Sequence, residues 1–225
     1  MERKRKEMDK GKSELRLAME ELRLCSSQGD EEQVEVQEQP RSSTMDLLSV
    51  SKQLIRVLDE IGPTLLVLRQ DIQQNVQRLQ DLLERDSSKY ASLTAIVTEE
   101  VGQGTAKKTN SCTRAIIWLS RSINFSKYLL ERLLKAPESS LEEIVEEAYG
   151  NILKPWHGWI SSAAYKVALK LIPEREVFVG QLMGDCQDIE VLAEDAKMLA
   201  YAVQPLLEEI DAVLAKHNLD KLKSS

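Results

Sequence analysis

Three short segments of the sequence carry polar side chains at spacings suited to holding a polar group beside an apolar one. In the first segment, Asp71, Asn75 and Arg78 are separated by four and three residues. On an α-helix this spacing places the three side chains on one face, next to an apolar stripe that includes Leu68. Such a face could bind hydroxyl or amide groups while an apolar body is buried beside it. The alternative is a solvated helix face with an ordinary Asp–Arg pair.

The second segment places an indole between two guanidinium groups. Arg114, Trp118 and Arg121 share one face of a predicted helix. The indole could stack on a flat ligand or a sugar while an arginine donates hydrogen bonds. The alternative is a tryptophan at the rim of the core, covered by the arginine stems.

The third segment runs from Trp156 through His157 and Gly158 to Trp159. Pro155 precedes it, so proline and glycine mark a junction between helices at which His157 projects from a corner. Neutral imidazole donates one hydrogen bond and accepts another, and exposed tryptophan is typical of residues at a membrane interface. The alternative is corner packing with a satisfied histidine.

Patterns for covalent chemistry are missing from the sequence. It contains no glycine-rich phosphate loop, no nucleophile elbow and no zinc-protease motif. Cys25, Cys112 and Cys186 have neither metal-ligand nor disulfide spacing. A net charge of −7 disfavours nucleic-acid binding. We therefore expect no catalytic residue, no metal and no cofactor.

Helices must position these segments. Gly and Pro are scarce, with 9 and 6 occurrences among 225 residues, and helical periodicity continues over residues 45–220. This pattern predicts an all-α domain of about eight helices, with Pro205 kinking or splitting the last one. Residues 1–44 are expected to be a charged, flexible extension with a short helix, and residues 221–225 a tail. The chain has no apolar run long enough to cross a bilayer and no secretory signal at its start, so we expect a cytoplasmic protein peripheral to membranes.

Taken in order, the three segments resemble motifs of the glycolipid transfer protein family, over about residues 45–220. That family has D-x-x-x-N-x-x-[KR] on its second helix, matched by the segment 71–78. It has an L-W-L-x-R type of segment on its fourth helix, matched by residues 114–121. It has an H-G-W corner after its fifth helix, matched by residues 157–159.

The resemblance implies a two-layer helical sandwich that opens between its layers to admit lipid chains. It implies that Asp71 and Asn75 bind sugar hydroxyls and the ceramide amide, and that Trp118 lies under the first sugar ring. It implies that His157 holds the carbonyl of the acyl amide and that Trp159 contacts the membrane. We expect Trp156 to take part in the same membrane contact.

The arginines bear on the choice of headgroup. Arg78 replaces a lysine found in some family members, and Arg114 falls where the phosphate-selective branch has one of two paired arginines. The place of the second arginine is taken by Trp118, and that branch has lysine where Asn75 stands. Both departures favour a neutral sugar over a phosphate, which would require bidentate cationic contacts. Arg114 and Arg121 are therefore secondary headgroup candidates.

These observations predict a monomeric, non-enzymatic carrier of glycosphingolipids, with monohexosylceramide as the expected ligand, that touches membranes transiently. Alternatives are a ceramide-1-phosphate carrier, a sphingolipid sensor, or a helical module that binds partner proteins. Eight apolar residues are candidates for either the core or a lipid sleeve: Ile116, Ile117, Phe125, Val145, Ala148, Ile160, Ala164 and Leu169.

Overall fold

The computed structural model describes residues 11–27, 42–61 and 66–223, and throughout these ranges the regular structure is helical. In chain order the α-helices are α1 (Glu14–Ser27), α2 (Ser43–Ile61), α3 (Leu66–Arg85), α4 (Leu93–Gly102), α5 (Cys112–Lys135), α6 (Leu141–Ala148), α7 (Trp159–Leu169), α8 (Arg175–Met183) and α9 (Ile189–Lys216). The all-α prediction is confirmed. The eight helices predicted over residues 45–220 correspond to α2–α9.

Polar groups at the N-termini of α5 and α6 satisfy backbone amides that have no partner within the helix. Ahead of α5, the Glu100 carboxylate accepts hydrogen bonds from the amides of Cys112 and Thr113, at 2.9 and 2.7 Å. This places a negative charge where the helix dipole favours one. Ser140 and Glu143 form a reciprocal capping box at α6.

Helix α5 lies at the centre of the fold. It packs against α2, α3, α4, α6 and α9. Its apolar face is almost completely buried, with Ile116, Ile117 and Leu119 each 1% exposed. Because neighbours hold α5 on several sides, side chains on its other face, including Trp118, have a fixed backbone beneath them.

The junction between α6 and α7 is not a continuous α-helix. Helix α6 ends at Ala148, a π-helical turn covers Tyr149–Leu153, and a short 3₁₀ turn covers Lys154–Trp156. Pro155 has no amide hydrogen to donate to the carbonyl four residues earlier, which disfavours a regular α-helix at this point. The wider turn therefore ends in an extended residue, His157, just before α7 begins.

Helix α1 corrects our expectation of a flexible extension, because it packs against α2, α8 and α9 as part of the domain. Leu15 is 2% exposed and belongs to the main core. The Ser13 hydroxyl donates a 2.6 Å hydrogen bond to the fully buried carboxylate of Asp195 in α9, and Arg16 forms an ion pair with the same carboxylate at 2.5 Å. Residues 1–10 and 28–41, also assigned to the extension, lie outside the described residues.

Helix α9 is one element of 28 residues with Pro205 inside it, so of the two predicted alternatives, a kink or a split, the split is wrong. Pro205 is exposed and presents its ring at the surface of the helix. No helix in the described part of the chain has the length and apolar content needed to cross a bilayer. The same ranges contain no group of His, Cys, Asp and Glu side chains arranged to hold a metal ion.

Candidate functional site

A cavity of about 700 Å³ lies inside the helical domain and is lined mostly by apolar side chains from α1–α3 and α5–α9. This volume falls within the range of ligand-binding pockets. Apolar walls around an empty volume leave many dispersion contacts unmade. The cavity is therefore suited to a large apolar ligand.

The sequence-based candidates for core or sleeve divide between these two roles. Phe125, Val145, Ala164 and Leu169 line the cavity. Three others are buried without lining it: Ile116, Ile117 and Ala148. The side chain of Ile160 lies outside the described part of the chain.

Three of the five predicted headgroup residues lie on the wall of this cavity: Asp71, Trp118 and His157. The rings of Trp118 and His157 are in contact, with centroids 5.4 Å apart. The Asp71 carboxylate remains accessible, and no donor among the described residues forms a hydrogen bond with it. Neighbouring protein atoms displace water from this carboxylate and raise its pKa, which the charge of Arg78 partly opposes. The wall of this cavity thus presents a strong, unused hydrogen-bond acceptor and a pair of rings in contact with each other.

The other two headgroup candidates, Asn75 and Arg78, do not line the cavity but lie next to Asp71 on α3. Asn75 is 6% exposed and donates through Nδ2 to the backbone carbonyl of Asp71 at 2.9 Å. Its Oδ1 accepts from Nη1 of Arg78 at 3.1 Å. The Asn75 amide keeps a second N–H for another acceptor. The spacing read from the sequence therefore brings all three side chains together on α3.

His157 is held by a chain of polar contacts. Its Nδ1 lies 3.3 Å from the Tyr149 hydroxyl, which contacts the Ser162 hydroxyl at 3.2 Å. Burial, and then the charge of Arg121, lower the pKa of His157, so the ring is held neutral at pH 7. A neutral ring has one donor nitrogen and one acceptor nitrogen, so the contact with Tyr149 determines which role is left to Nε2.

Arg121 was a secondary headgroup candidate, but it lies behind the wall and does not line the cavity. Its guanidinium lies between two indoles, 4.9 Å from the Trp118 ring centroid and 4.4 Å from that of Trp156. Its Nη1 and Nη2 donate to the carbonyls of Leu222 and Asp220, at 2.8 and 3.0 Å.

Arg114, the other secondary headgroup candidate, also donates its hydrogen bonds to backbone carbonyls. Both terminal nitrogens of its guanidinium donate to the Lys223 carbonyl, at 3.1 and 3.0 Å, and its Nε donates to the Lys107 carbonyl at 3.4 Å. Spacing alone placed both arginines towards a ligand. In the structure, the guanidinium groups donate to backbone carbonyls of the C-terminal segment and do not face the cavity.

The two tryptophans proposed for membrane contact have different environments. Trp159 begins α7 and is 82% exposed. Trp156 is half-buried, and the Arg121 guanidinium lies over its ring. Trp159 is therefore the more exposed of the two tryptophans proposed for membrane contact.

Sequence reasoning missed Tyr149, Tyr165 and the C-terminal segment. The two tyrosine rings line the cavity and stack, with centroids 3.4 Å apart. Tyr149 lies eight residues before His157, a separation that could have indicated a shared helical face. The C-terminal segment acts through backbone carbonyls, which every residue has, so its residue types contain no signal.

Comparison with known proteins agrees with this architecture. Residues 42–184 match the family model described as Glycolipid transfer protein (GLTP). The chain is 42% identical to "Glycolipid transfer protein 2" of Arabidopsis thaliana over 225 residues, which is 100% of both chains.

Two solved structures show the same fold. A structure described as "How FAPP2 Selects Simple Glycosphingolipids Using the GLTP-fold" has a TM-score of 0.73 and 26% identity, covering 85% of this chain and 94% of that chain. An Arabidopsis accelerated-cell-death 11 mutant complexed with ceramide-1-phosphate has a TM-score of 0.72 at 16% identity, covering 92% of this chain and 96% of that chain. The predicted helical sandwich is confirmed, and the chain belongs to the glycolipid transfer protein family.

Proposed function

We propose that this protein is a carrier that extracts a sphingolipid with a neutral sugar headgroup from one membrane and delivers it to another. The observation that carries the proposal is the cavity itself: an apolar interior of about 700 Å³ whose wall also includes the polar residues Asp71, Trp118 and His157. The apolar interior can hold lipid chains, and the polar residues of the wall can bind a hydroxyl-rich headgroup. The names of the relatives support the same ligand class.

The energetics explain why a carrier without covalent chemistry is useful. Exposing lipid chains to water costs about 0.8 kcal/mol per methylene, so a dozen methylenes cost about 10 kcal/mol. Spontaneous desorption of such a lipid is correspondingly slow. An apolar cavity that receives the chains removes much of this barrier while every bond of the lipid stays intact.

We assign the headgroup to the corner formed by Asp71, Trp118 and His157. An ionised carboxylate accepts strong hydrogen bonds from sugar hydroxyls, and the indole offers a flat apolar surface to a sugar ring. An amide of the ceramide type has both a donor and an acceptor, so it matches Nε2 of His157 in either tautomer. Asn75, next to Asp71, supplies a further N–H.

A neutral headgroup suits this corner better than an anionic one. The one charged side chain of the corner, Asp71, would repel a phosphate, and Asn75 offers only an uncharged amide. The cationic groups nearest to Trp118 have their donors engaged with backbone carbonyls. We therefore propose a monohexosylceramide as the preferred ligand and regard ceramide-1-phosphate as the competing one.

Membrane contact is assigned to the exposed face of α7. Trp159, Lys166, Val167 and Lys170 are all exposed on this helix or at its end. A tryptophan inserts at the headgroup level of a bilayer, and lysines attract anionic lipid. Because Ala164 and Val167 also line the cavity, lipid entering near α7 has a short path to the interior. We propose that the protein works as a monomer at the cytoplasmic face of membranes.

A vesicle assay tests the proposal. Purified protein is mixed with donor and acceptor vesicles that contain fluorescent glucosylceramide, ceramide-1-phosphate or sphingomyelin. We expect fast transfer of glucosylceramide, little transfer of the other two, and a protein–lipid complex by native mass spectrometry. Preferential transfer of ceramide-1-phosphate would overturn the headgroup assignment, and failure to bind any of the lipids would favour a protein-interaction module.

A further inference from the structure

Arg114 and Arg121 form a buried pair of cations whose acceptors are uncharged. Each residue is 9% exposed. No carboxylate in the described ranges lies within ion-pair distance of either guanidinium. Burial and the charge of Arg114 lower the pKa of Arg121 to about 10, against weaker opposition from Asp211 and Asp220. A guanidinium binds carboxylate or phosphate oxygens more strongly than neutral carbonyls, so this pair is suited to binding an anion.

Backbone carbonyls of the C-terminal segment, residues 220–223, occupy the donors. The Lys223 carbonyl accepts from both terminal nitrogens of Arg114, at 3.1 and 3.0 Å. The carbonyls of Leu222 and Asp220 accept from Arg121, at 2.8 and 3.0 Å. The two guanidinium groups thus bind three oxygens of this segment, the number of terminal oxygens on a phosphate monoester.

Apolar side chains hold the C-terminal segment in this position. Leu222 packs against the main core, and Leu219, which precedes the segment, is 2% exposed. Lys221, by contrast, is exposed. The leucine side chains therefore hold the carbonyls in position. A substitution of Leu222 can release the carbonyls while both arginines are kept.

The cation pair borders the proposed headgroup corner. The Arg121 guanidinium lies 4.9 Å from the Trp118 ring centroid, and its charge acts on His157. A headgroup on the outer edge of Trp118 would therefore be close to Arg121 if the C-terminal segment moved away.

We propose that residues 220–223 exclude phosphate monoester headgroups from the site. Their backbone carbonyls accept the hydrogen bonds of Arg114 and Arg121 that a phosphate would otherwise accept. The inference rests on the proposed function, because it takes the headgroup to lie at Trp118. The segment thereby determines specificity: while it is docked the site takes neutral sugars, and once it is released the arginines accept a phosphate.

The test uses the full chain with Leu222→Ser, which removes the apolar anchor, and Lys221→Ser as a matched control in the same segment. Vesicle transfer of glucosylceramide and ceramide-1-phosphate is measured for each variant. We expect Leu222→Ser to gain about tenfold or more in transfer of ceramide-1-phosphate, the change expected for one charge-assisted hydrogen bond. Lys221→Ser should match the unaltered chain. Adding Arg121→Gln to Leu222→Ser should abolish the gain.

A parallel loss of both lipids, or no gain in ceramide-1-phosphate transfer, would overturn the proposal and leave the segment a structural role. If Leu222→Ser melts cooperatively at too low a temperature for the assay, Leu222→Ala gives a milder release with the same expected direction. Calorimetry with inorganic phosphate separates the free anion from the lipid. Binding of inorganic phosphate to the unaltered chain would mean that the arginines are already open, which also overturns the proposal.

Failure of the proposed function gives a different result. In that case the unaltered chain transfers no glucosylceramide. If only the inference about the segment is wrong, the unaltered chain transfers glucosylceramide normally, and Leu222→Ser transfers ceramide-1-phosphate no faster than the unaltered chain.

Discussion

The ring of Trp118 on α5 lies 5.4 Å from the ring of His157, with an angle of 43° between the two planes. The two residues come from different elements, and both line the cavity. One ring offers a face for stacking and the other an edge with polar nitrogens. A ligand that uses both must have an apolar ring face and an amide or hydroxyl group close to it.

Trp118→Ala should reduce glucosylceramide transfer at least tenfold, because stacking on an aromatic ring contributes about 0.5–1.5 kcal/mol beyond the area it buries and the substitution removes both contributions. Trp118→Phe retains a ring and should keep part of the activity. Initial rates of vesicle transfer measure the effect, and circular dichroism checks that helix content is unchanged. Full transfer by Trp118→Ala would show that the headgroup does not lie on this ring.

Asp71→Asn should lower transfer by roughly tenfold to a hundredfold, since hydrogen bonds to a charged group contribute about 1.5–3 kcal/mol. The substitution keeps the size and shape of the side chain. Asp81→Asn is the matched control, because Asp81 is exposed on the same helix and accepts a hydrogen bond from Gln77 at the surface. Equal effects of the two substitutions would contradict a headgroup role for Asp71.

The same carboxylate predicts a pH dependence of stability. Burial raises the pKa of Asp71 above its ordinary 3.8 in the folded protein, so the folded state holds the proton more tightly than the unfolded state. The ionised group therefore opposes folding above its raised pKa, and this cost disappears as the pH falls below the ordinary value. We expect Asp71→Asn to be more stable than the unaltered chain at neutral pH and equally stable in acid. Urea unfolding at a series of pH values measures this difference; a constant difference across the series would contradict it.

Helix positions and the grouping of the candidate headgroup side chains on α3 could be predicted from the sequence because both depend on local spacing. The side chains at 71, 75 and 78 share a face in any helix, and the capping box at Ser140 lies within four residues. The all-α fold followed from periodicity alone. These features need no knowledge of distant contacts.

Other features could not be predicted because they depend on contacts between distant residues or on the backbone. The hydrogen bond between Ser13 and Asp195 joins residues separated by 182 positions, so nothing in the sequence near Ser13 indicated that α1 belongs to the core. In an α-helix each amide donates to the carbonyl four residues earlier, whereas in a π-helix it donates to the carbonyl five residues earlier. Residue types determine this difference only weakly, so the π-helical turn at Tyr149–Leu153 could not be predicted. The hydrogen bonds from Arg121 to backbone carbonyls could not be predicted either, because every residue has a carbonyl.

Ser13→Ala should lower the free energy of unfolding by about 1–3 kcal/mol, because it removes a donor to a buried carboxylate and the cap of α1. The Ser13 hydroxyl also accepts from the Arg16 amide at 3.0 Å. Glu194→Gln is a control on α9, since Glu194 pairs with Lys197 at the surface and such pairs contribute about 0–1 kcal/mol. Chemical denaturation measures both variants. Unchanged stability in Ser13→Ala would show that the Ser13 hydroxyl does not contribute to anchoring α1 on Asp195.

Trp159→Ala should weaken binding to vesicles about tenfold, because an 82% exposed indole on α7 can bury its area in a bilayer interface without rearrangement. Transfer should slow in proportion, while the preference for glucosylceramide over ceramide-1-phosphate should stay unchanged, since Trp159 does not line the cavity. Tyr201→Ala is the matched control: Tyr201 on α9 is an aromatic residue with 84% exposure. Vesicle sedimentation measures binding and the transfer assay measures rate. Because α7 carries Lys166 and Lys170 beside its tryptophan, we expect the larger loss in Trp159→Ala, with the remaining binding falling further as salt is added. Equal losses in the two variants would remove the assignment of α7 as the membrane-contacting helix.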